Sequence, residues 1–299
     1  MGMLVFQLQI LILILIGYYL GKTGTIDGKI RSGLSRILTD IIMPANIVNA
    51  FAQKIVRDPL IYRNMIAAFV ISAVVQTLFY VLGKVLYGKE TPEREPVLRY
   101  GLLNPGMAFF GIPIMENLYG SLGTLLSSVY MIPYRMTIWT IGISMFRANE
   151  KRTLKEMLLH PCIVAVAVGI VLMVTGIELP SIIAGPISYL SRCVTGLSML
   201  VVGSVLSETD LKTVFSRDTL TFSAIRLLIL PFLVLGALTL LNIDPVVKGI
   251  ASLMTGMPAA AIGVVIAQRY HGDDRFCAKI VVATTILSMI TVPFIGLFL

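Results

Sequence analysis

The sequence predicts an all-α membrane protein of about ten transmembrane helices, arranged as two inverted five-helix repeats. Of its 299 residues, 57% are hydrophobic and only 13% are charged, whereas soluble domains have about 25% charged residues. Apolar segments long enough to cross a bilayer recur along the chain, and several short motifs occur twice. A soluble fold could not bury this much apolar surface, so the bilayer is the expected solvent.

The apolar segments divide the chain into predicted spans joined by short loops. Proline and glycine within these segments are compatible with helix, because neighbouring elements in a membrane protein satisfy the freed backbone groups. The predicted spans are Leu4 to Gly21, Leu34 to Gln53, Met65 to Tyr87, Val97 to Tyr119, Leu122 to Phe146, Leu158 to Ile177, Ile182 to Leu206, Leu220 to Leu241, Val246 to Ala267 and Cys277 to Leu299.

Lysine and arginine are distributed unevenly between the two sets of predicted loops. With the N-terminus outside, the cytoplasmic loops hold sixteen of these residues and the outer loops hold four. Cytoplasmic loops of membrane proteins are enriched in both, so we expect a multi-pass protein of the plasma (inner) membrane with both termini outside. The net charge of +8 follows from these loops, and no basic face with interleaved aromatic residues indicates a nucleic-acid partner.

Short motifs of the first half recur in the second half. The matched pairs are Leu34 to Thr39 with Leu190 to Thr195, Gly17 to Gly24 with Gly169 to Gly176, and Pro105 to Gly120 with Pro258 to Gly272. Their spacing of 152 to 156 residues predicts duplication of a five-span unit, as residues 1–150 and 151–299. Because five is odd, the second copy is inverted in the membrane, an arrangement common in secondary transporters.

The fourth and ninth predicted spans are interrupted by proline and glycine. Proline removes a backbone donor and clashes with the preceding turn, while glycine adds conformational freedom. The half-helix after each break would offer free N–H groups and a partial positive charge, which suit a carboxylate; a simple packing kink is the alternative. The candidate substrate-binding residues are Asn104, Pro105, Gly106, Pro113, Thr255, Gly256, Pro258 and Arg135.

Ionisable residues within predicted spans are candidates for binding or coupling, because a charge in the bilayer is costly. Arg135, near the middle of the fifth span, is expected to bind the anion or to pair with Asp40 or Glu116. Asp40 is a candidate proton carrier, since desolvation favours its protonated form. A local ion pair between Asp40 and Arg36, one turn earlier, is the alternative.

Two further arginines occupy equivalent places in the repeats, and one stands apart. Arg36 and Arg192 are expected to reach towards an interface, while Arg226, in the eighth span, is open to both a binding and a structural interpretation. No phosphate-binding loop, His-Glu-x-x-His or Gly-x-Ser-x-Gly motif occurs. The residues with metal-ligating or redox chemistry lack the spacing of a site: Cys162, Cys193, Cys277, His160, His271, Asp273 and Asp274. We therefore expect no enzyme activity, metal or cofactor.

Several motifs near the breaks carry a family resemblance. They are Phe110-Gly111-Ile112-Pro113 with Tyr119-Gly120; Pro258 through Ala267 with Tyr270 and Gly272; Thr284 through Ser288 with Thr291-Val292-Pro293; and Met43-Pro44. In these motifs and in its layout the chain resembles the auxin efflux carrier family, which includes plant auxin exporters and bacterial malate permeases. That family usually has asparagine after the position of Pro105, where this chain has Gly106. The short central loop resembles that of prokaryotic members.

The resemblance implies a scaffold domain of helices 1, 2, 6 and 7 and a transport domain of helices 3–5 and 8–10, with helices 4 and 9 crossing at the site. It also implies a homodimer. The predicted function is secondary active transport, as an efflux carrier or permease, of auxin-like or dicarboxylic anions by elevator-type alternating access. A sodium-coupled bile-acid-type symporter is the nearest alternative, followed by an intramembrane enzyme and by a passive channel or sensor.

Overall fold

A computed structural model describes residues 2–52, 59–137, 141–146, 159, 161–208, 213–270 and 272–299. In these ranges the chain is helical apart from turns and one isolated β-bridge. Some features of the sequence analysis lie outside the described residues: the repeat boundary at residue 150, His160, His271, and the loop residues Lys54, Arg57, Arg147, Lys151, Arg152, Lys155 and Lys212.

The helices are numbered in chain order. They are α1 Gly2–Lys22, α2 Gly28–Ile37, α3 Met43–Phe51, α4 Pro59–Tyr87, α5 Glu95–Leu103, α6 Ile112–Thr137, α7 Ile143–Phe146, α8 Pro161–Thr175, α9 Ser181–Leu206, α10 Arg217–Ala224, α11 Leu230–Leu240, α12 Pro245–Thr255, α13 Ile262–Arg269 and α14 Asp274–Gly296. Within α6, Gly120 has φ 60° and ψ −145° and divides the helix in two.

Four helices of the described chain are long and apolar enough to cross a membrane. They are Pro59–Tyr87, Ser181–Leu206, the continuous helix Arg217–Leu240, and Asp274–Gly296. Shorter apolar helices cover Leu8–Lys22 and Pro161–Leu172. The all-helical membrane class is therefore confirmed, while the count of ten spans and the inverted repeat stay predictions.

Three complete turns of π-helix within the described residues each end two residues before a proline. They are Leu38–Ile42 before Pro44, Met107–Gly111 before Pro113, and Ile225–Ile229 before Pro231. A proline in a helix cannot donate to the carbonyl four residues earlier, and its ring clashes with that carbonyl. The wider π-turn accommodates this conflict, and such turns occur frequently at functional sites.

The chain forms two compact units. Unit 1 comprises Met1–Ala68, Phe109–Val129 and Leu154–Glu208, and unit 2 comprises Phe69–Ala108, Tyr130–Thr153 and Thr209–Leu299. Each has its own buried apolar core. The division into two five-helix repeats, and the assignment of scaffold and transport helices, stay predictions.

Unit 1 is packed through glycine. A Cβ on Gly17 would overlap the backbone of Leu200, and one on Gly203 would overlap the backbone of Ile14. These contacts show that α1 and α9 approach each other at backbone distance, as membrane helices do where small residues line their interface. Helices α1 and α8 are followed by Gly24 and Gly176, with φ of 76° and 69°, a left-handed conformation that suits glycine.

At one end of unit 2, Arg94 links three elements through its guanidinium. Its guanidinium lies 3.3 Å from carboxylate oxygens of both Asp218 and Asp273 and stacks 4.4 Å from the ring centre of Phe276. Asp273 also caps α14 by accepting a hydrogen bond from the N–H of Phe276 at 2.9 Å. Arg94 thus connects the loop before α5 to the starts of α10 and α14.

Candidate substrate site at the broken helices

Both half-helices of unit 2 end where their prolines predict. Helix α5 stops at Leu103, and Asn104 adopts φ −117° and ψ 86°, because a residue before proline is pushed out of the helical region. Helix α12 begins at the Asp244 cap and stops at Thr255, three residues before Pro258. The segments that follow, residues 104–106 and 256–260, are not helical and include the extended residues Pro105 and Ala259 of an isolated β-bridge.

These two segments pair with each other in antiparallel fashion. The N–H of Gly106 donates to the carbonyl of Pro258 at 2.6 Å, and the N–H of Ala260 donates to the carbonyl of Asn104 at 3.1 Å. Each segment thereby provides hydrogen-bond partners for backbone groups of the other that the breaks leave without helical partners. Non-helical backbone inside a membrane protein requires such partners. The two broken helices therefore meet at their breaks.

Side chains from neighbouring helices complete the crossing. Thr284 Oγ1 of α14 accepts a hydrogen bond from the N–H of Ala259 at 3.1 Å. The hydroxyl of Tyr134 in α6 donates to the carbonyl of Pro105. Sequence reasoning did not select either residue, although Thr284 opens one of the motifs that carry the family resemblance.

Several backbone N–H groups that the sequence analysis expected to be free are hydrogen-bonded at the crossing. The N–H groups of Gly106, Ala259 and Ala260 are bonded as described above, and the N–H of Gly263 donates to the carbonyl of Ala260 at 2.9 Å. The expectation of two open half-helix N-termini is to that extent wrong, because the two breaks use these donors on each other and on Thr284.

Asn104 and Thr255 are both buried at the crossing. Asn104 is 0% exposed; its Nδ2 donates to the carbonyl of Tyr100 at 3.1 Å, and its Oδ1 has no partner among the described residues. The hydroxyl of Thr255 lies 3.4 Å from that of Tyr130. Both side chains are thus held close to the breaks, and Asn104 retains an unused acceptor.

Two arginines of unit 2 differ in burial. Arg135 is half-buried, and it forms no hydrogen bond or ion pair within the described part of the chain. Arg226, in the π-turn before α11, is 0% exposed and donates from Nη1 to the carbonyl of Leu102 at 3.1 Å. The structure brings Arg226, which the sequence left open, next to the end of α5.

Gly256 caps the end of α12 in unit 2, whereas Glu116, Asp40 and Pro113 lie in unit 1. Glu116 is half-buried and accepts a hydrogen bond from Asn46 Nδ2 at 3.3 Å. Asp40 pairs with Arg36 at 3.4 Å, one turn away on the same helix, with side chains 41% and 85% exposed. The local ion pair is therefore the interpretation that the structure favours for Asp40. Pro113 is buried in the first turn of α6, where a helix tolerates proline.

The described residues contain no group of three or more histidine, cysteine, aspartate or glutamate side chains that could hold a metal ion. The two acidic residues of the turn at Asp273 and Asp274 are accounted for locally, since both stand at the start of α14 and Asp273 pairs with Arg94.

Comparison with known proteins gives full-length relatives at low identity. An uncharacterized transporter of Methanocaldococcus jannaschii is 24% identical over 298 residues, covering 97% of this chain and 96% of the relative. One from Methanothermobacter thermautotrophicus is 25% identical over 297 residues, covering 96% and 95%. The uncharacterized transporter YfdV of Escherichia coli K12 is 19% identical over 302 residues, covering 96% and 94%.

A family described as membrane transport protein matches residues 4–158 and 145–296, nearly the whole chain. The family resemblance found in the motifs is thereby confirmed. The chain belongs to the membrane transport protein family, of the auxin efflux carrier type, and is a multi-pass membrane transporter.

Proposed function

We propose that this protein is a secondary active transporter that moves small organic anions, of the auxin-like or dicarboxylic kind, by elevator-type alternating access. The observation that carries the proposal is the pairing of the breaks at Pro105 and Pro258 in unit 2. Irregular backbone at membrane depth is tolerated where it is buried in protein or lines a cavity, and broken helices at corresponding places in two repeats are the usual site of secondary transporters.

The charge of unit 2 favours an anion. Arg135 and Arg226 both lie within predicted spans, and neither forms an ion pair with a carboxylate of the described residues. Intramembrane arginines without an internal counter-charge mark ligand or ion pathways. An anionic substrate would supply that counter-charge.

Alternating access needs two equivalent halves, and local geometry supports the predicted inverted repeat of residues 1–150 and 151–299. The matched residues Gly24 and Gly176 share a left-handed conformation after α1 and α8. Both breaks end a half-helix and lead to a residue of the same isolated β-bridge. We place both termini outside the plasma (inner) membrane, on the charge distribution of the loops.

Glu116 is the candidate coupling residue. It lies in a predicted span, and its hydrogen-bond partner in the described chain is the amide of Asn46 rather than a cation. A carboxylate in this setting can take up a proton during transport. We expect Glu116→Gln to abolish the pH dependence of transport while exchange of substrate for substrate continues; an unchanged pH profile would remove Glu116 from the mechanism.

A homodimer would cover charges that unit 1 exposes within its predicted spans. Arg36 and Arg192 are exposed, and Asp40 is exposed beside Arg36. Lipid contact with such groups is costly, whereas a second copy could pair them. Disulfide trapping with Cys193, which is exposed on α9 one residue from Arg192, should yield a covalent dimer in native membranes if this face is the interface, and monomer alone if it is not.

The sodium-coupled symporter remains a second candidate because of Asn104. Its Oδ1 is buried and without a partner in the described residues, and an amide oxygen is a ligand that hard cations accept. If the protein is such a symporter, transport should depend on a sodium gradient.

Counterflow in proteoliposomes tests the proposed function. Vesicles loaded with unlabelled indole-3-acetate or malate are diluted into the labelled acid, with and without Na⁺ and at two pH values. Saturable accumulation of one acid supports the anion carrier; uptake that appears only with Na⁺ supports the symporter. Linear, non-saturable flux would show a channel, and no flux of either acid would overturn the choice of substrate.

A further inference from the structure

The most unusual side chain of the described structure is Arg226. It is the largest of the fully buried side chains, at 0% exposure, and it lies in the π-turn Ile225–Ile229 of an apolar helix. Removing a guanidinium from water without a counter-charge costs far more than any packing gain returns. A buried arginine in this state requires a reason beyond packing.

The hydrogen bonds of Arg226 leave one edge of the guanidinium unused. Nη1 donates to the carbonyl of Leu102 at 3.1 Å, whereas Nε and Nη2 have no partner among the described residues. Nε–H and Nη2–H lie side by side on the planar group and point in the same direction. They form the fork that matches the two oxygens of a carboxylate.

The surroundings place this edge beside the crossing of the broken helices. Leu102, the acceptor for Nη1, lies two residues before Asn104. Tyr130 and Tyr134 both lie near the guanidinium, and their hydroxyls bond to Thr255 and to the carbonyl of Pro105. Arg226 therefore shares its neighbours with both breaks.

A purely structural role would explain only part of this arrangement. A cation that bonds a carbonyl in the last turn of α5 stabilises the end of that helix. That role requires Nη1 alone and could be filled without burying two further unbonded donors. Arg135 differs, because it is only half-buried.

We propose that Arg226 binds the carboxylate of the transported substrate through its Nε and Nη2 edge and selects acids over their neutral analogues. This inference rests on the proposed function and names the residue that recognises the anion. Arg226 is accordingly a binding residue, while Tyr130 and Tyr134 hold the breaks in place around it.

Ligand-induced thermal stabilisation of the purified full-length protein tests the assignment. Indole-3-acetate and malate are each compared with their primary amides, since binding to the native state raises the apparent Tm. The variants are Arg226→Met, Arg226→Lys and the control Arg217→Met, which removes an exposed positive charge nine residues earlier on the same helix.

We expect an acid, and not its amide, to stabilise the wild type and the Arg217→Met protein. Arg226→Met should weaken binding of that acid by at least about tenfold, because a buried, charge-assisted bidentate contact is lost. Arg226→Lys should lie between them, since lysine keeps the charge without the fork. Without ligand, Arg226→Met should melt at or above the wild-type temperature, because an uncompensated buried charge has been removed.

The opposite results would overturn the assignment. A structural cap predicts that Arg226→Met lowers the ligand-free Tm and leaves the affinity for the acid unchanged in the protein that still folds. Binding of a carboxylate that is unaffected in Arg226→Met would exclude Arg226 and leave anion transport standing. Failure of the wild type to bind or exchange either acid would instead remove the proposed function and this inference together.

Discussion

The two units of the molecule hold their polar groups differently. In unit 1 the ion pairs lie at the surface, as between Arg36 and Asp40, and helices α1 and α9 pack at backbone distance. In unit 2 two helices are broken, and the fully buried Arg226 keeps two donors without partners in the described residues. Irregular backbone and uncompensated charge both reduce stability, and proteins retain them where they serve function. We infer from this comparison that unit 1 is constrained mainly by packing, and we place the proposed anion recognition in unit 2.

The largest expected effect is on the packing of unit 1. Gly203→Leu would force a side chain into the backbone of Ile14 and should lower the free energy of unfolding by about 3 kcal/mol, the upper end of over-packing costs. Gly196→Leu on the same helix is the matched control, because nothing lies within 4 Å of a Cβ there. The ligand-free Tm and the monodisperse yield of each variant measure the difference. Equal melting temperatures would contradict the close approach of α1 and α9.

The next largest effect is expected on transport, from a change at the Pro258 break of unit 2. Pro258→Ala restores a backbone donor and frees Met257 to become helical, so the pairing with Gly106 should be lost and counterflow should fall by about 100-fold, the scale of small misplacements in a binding site. Pro186→Ala, within α9 of unit 1, is the control and should transport normally. Pro105→Ala should behave like Pro258→Ala. Normal transport by a folded Pro258→Ala protein would refute the crossing as the substrate site.

A smaller effect is expected from the hydrogen bond that supports the break at Pro258. Thr284→Val removes the acceptor for the N–H of Ala259, and an unsatisfied buried N–H costs about 1–3 kcal/mol. Thr285→Val is the control, since no hydrogen bond joins Thr285 to either break within the described chain. We expect a lower ligand-free Tm and a raised KM for Thr284→Val alone. If both variants have the Tm and the KM of the wild type, the hydrogen bond from Ala259 to Thr284 does not stabilise the break.

The smallest expected effect is at the end of unit 2. Arg94 is 39% exposed and its ion pairs are reached by solvent, so Arg94→Gln should cost no more than about 1 kcal/mol. Added salt should shrink the difference from the wild type, because it screens the same charges. Chemical denaturation at low and high ionic strength provides the measurement. A loss of transport without a change in stability would instead give Arg94 a part in the transport cycle.

Local rules explain how much of the site could be predicted. The breaks after Leu103 and Thr255 follow from proline and glycine in the sequence, because proline restricts the preceding residue, removes a backbone donor and clashes with the carbonyl four residues earlier. The pairing of Gly106 with Pro258 could not be predicted in the same way, since it joins backbone groups about 150 residues apart. For this reason the sequence analysis expected free N–H groups where the structure has hydrogen bonds.

The ionisable residues show the same limit. The predicted spans identified Asp40, Glu116, Arg135 and Arg226 as charges within the membrane and favoured Arg135, which is half-buried, over Arg226. Asp40 turned out to be exposed and paired with Arg36, whereas Arg226 is fully buried. Burial and partnership depend on which helices pack together, and the sequence around each residue is almost equally apolar.

The sequence by itself determined the helical membrane class, the position of the breaks and the family, because hydropathy, proline geometry and short motifs are properties of a few adjacent residues. Only the tertiary structure decided that the breaks meet, that Thr284 and Tyr134 complete them, and that the Nε and Nη2 edge of Arg226 is left without partners in the described chain. Hydrogen bonds between distant segments arise from packing, and packing is a property of the whole unit.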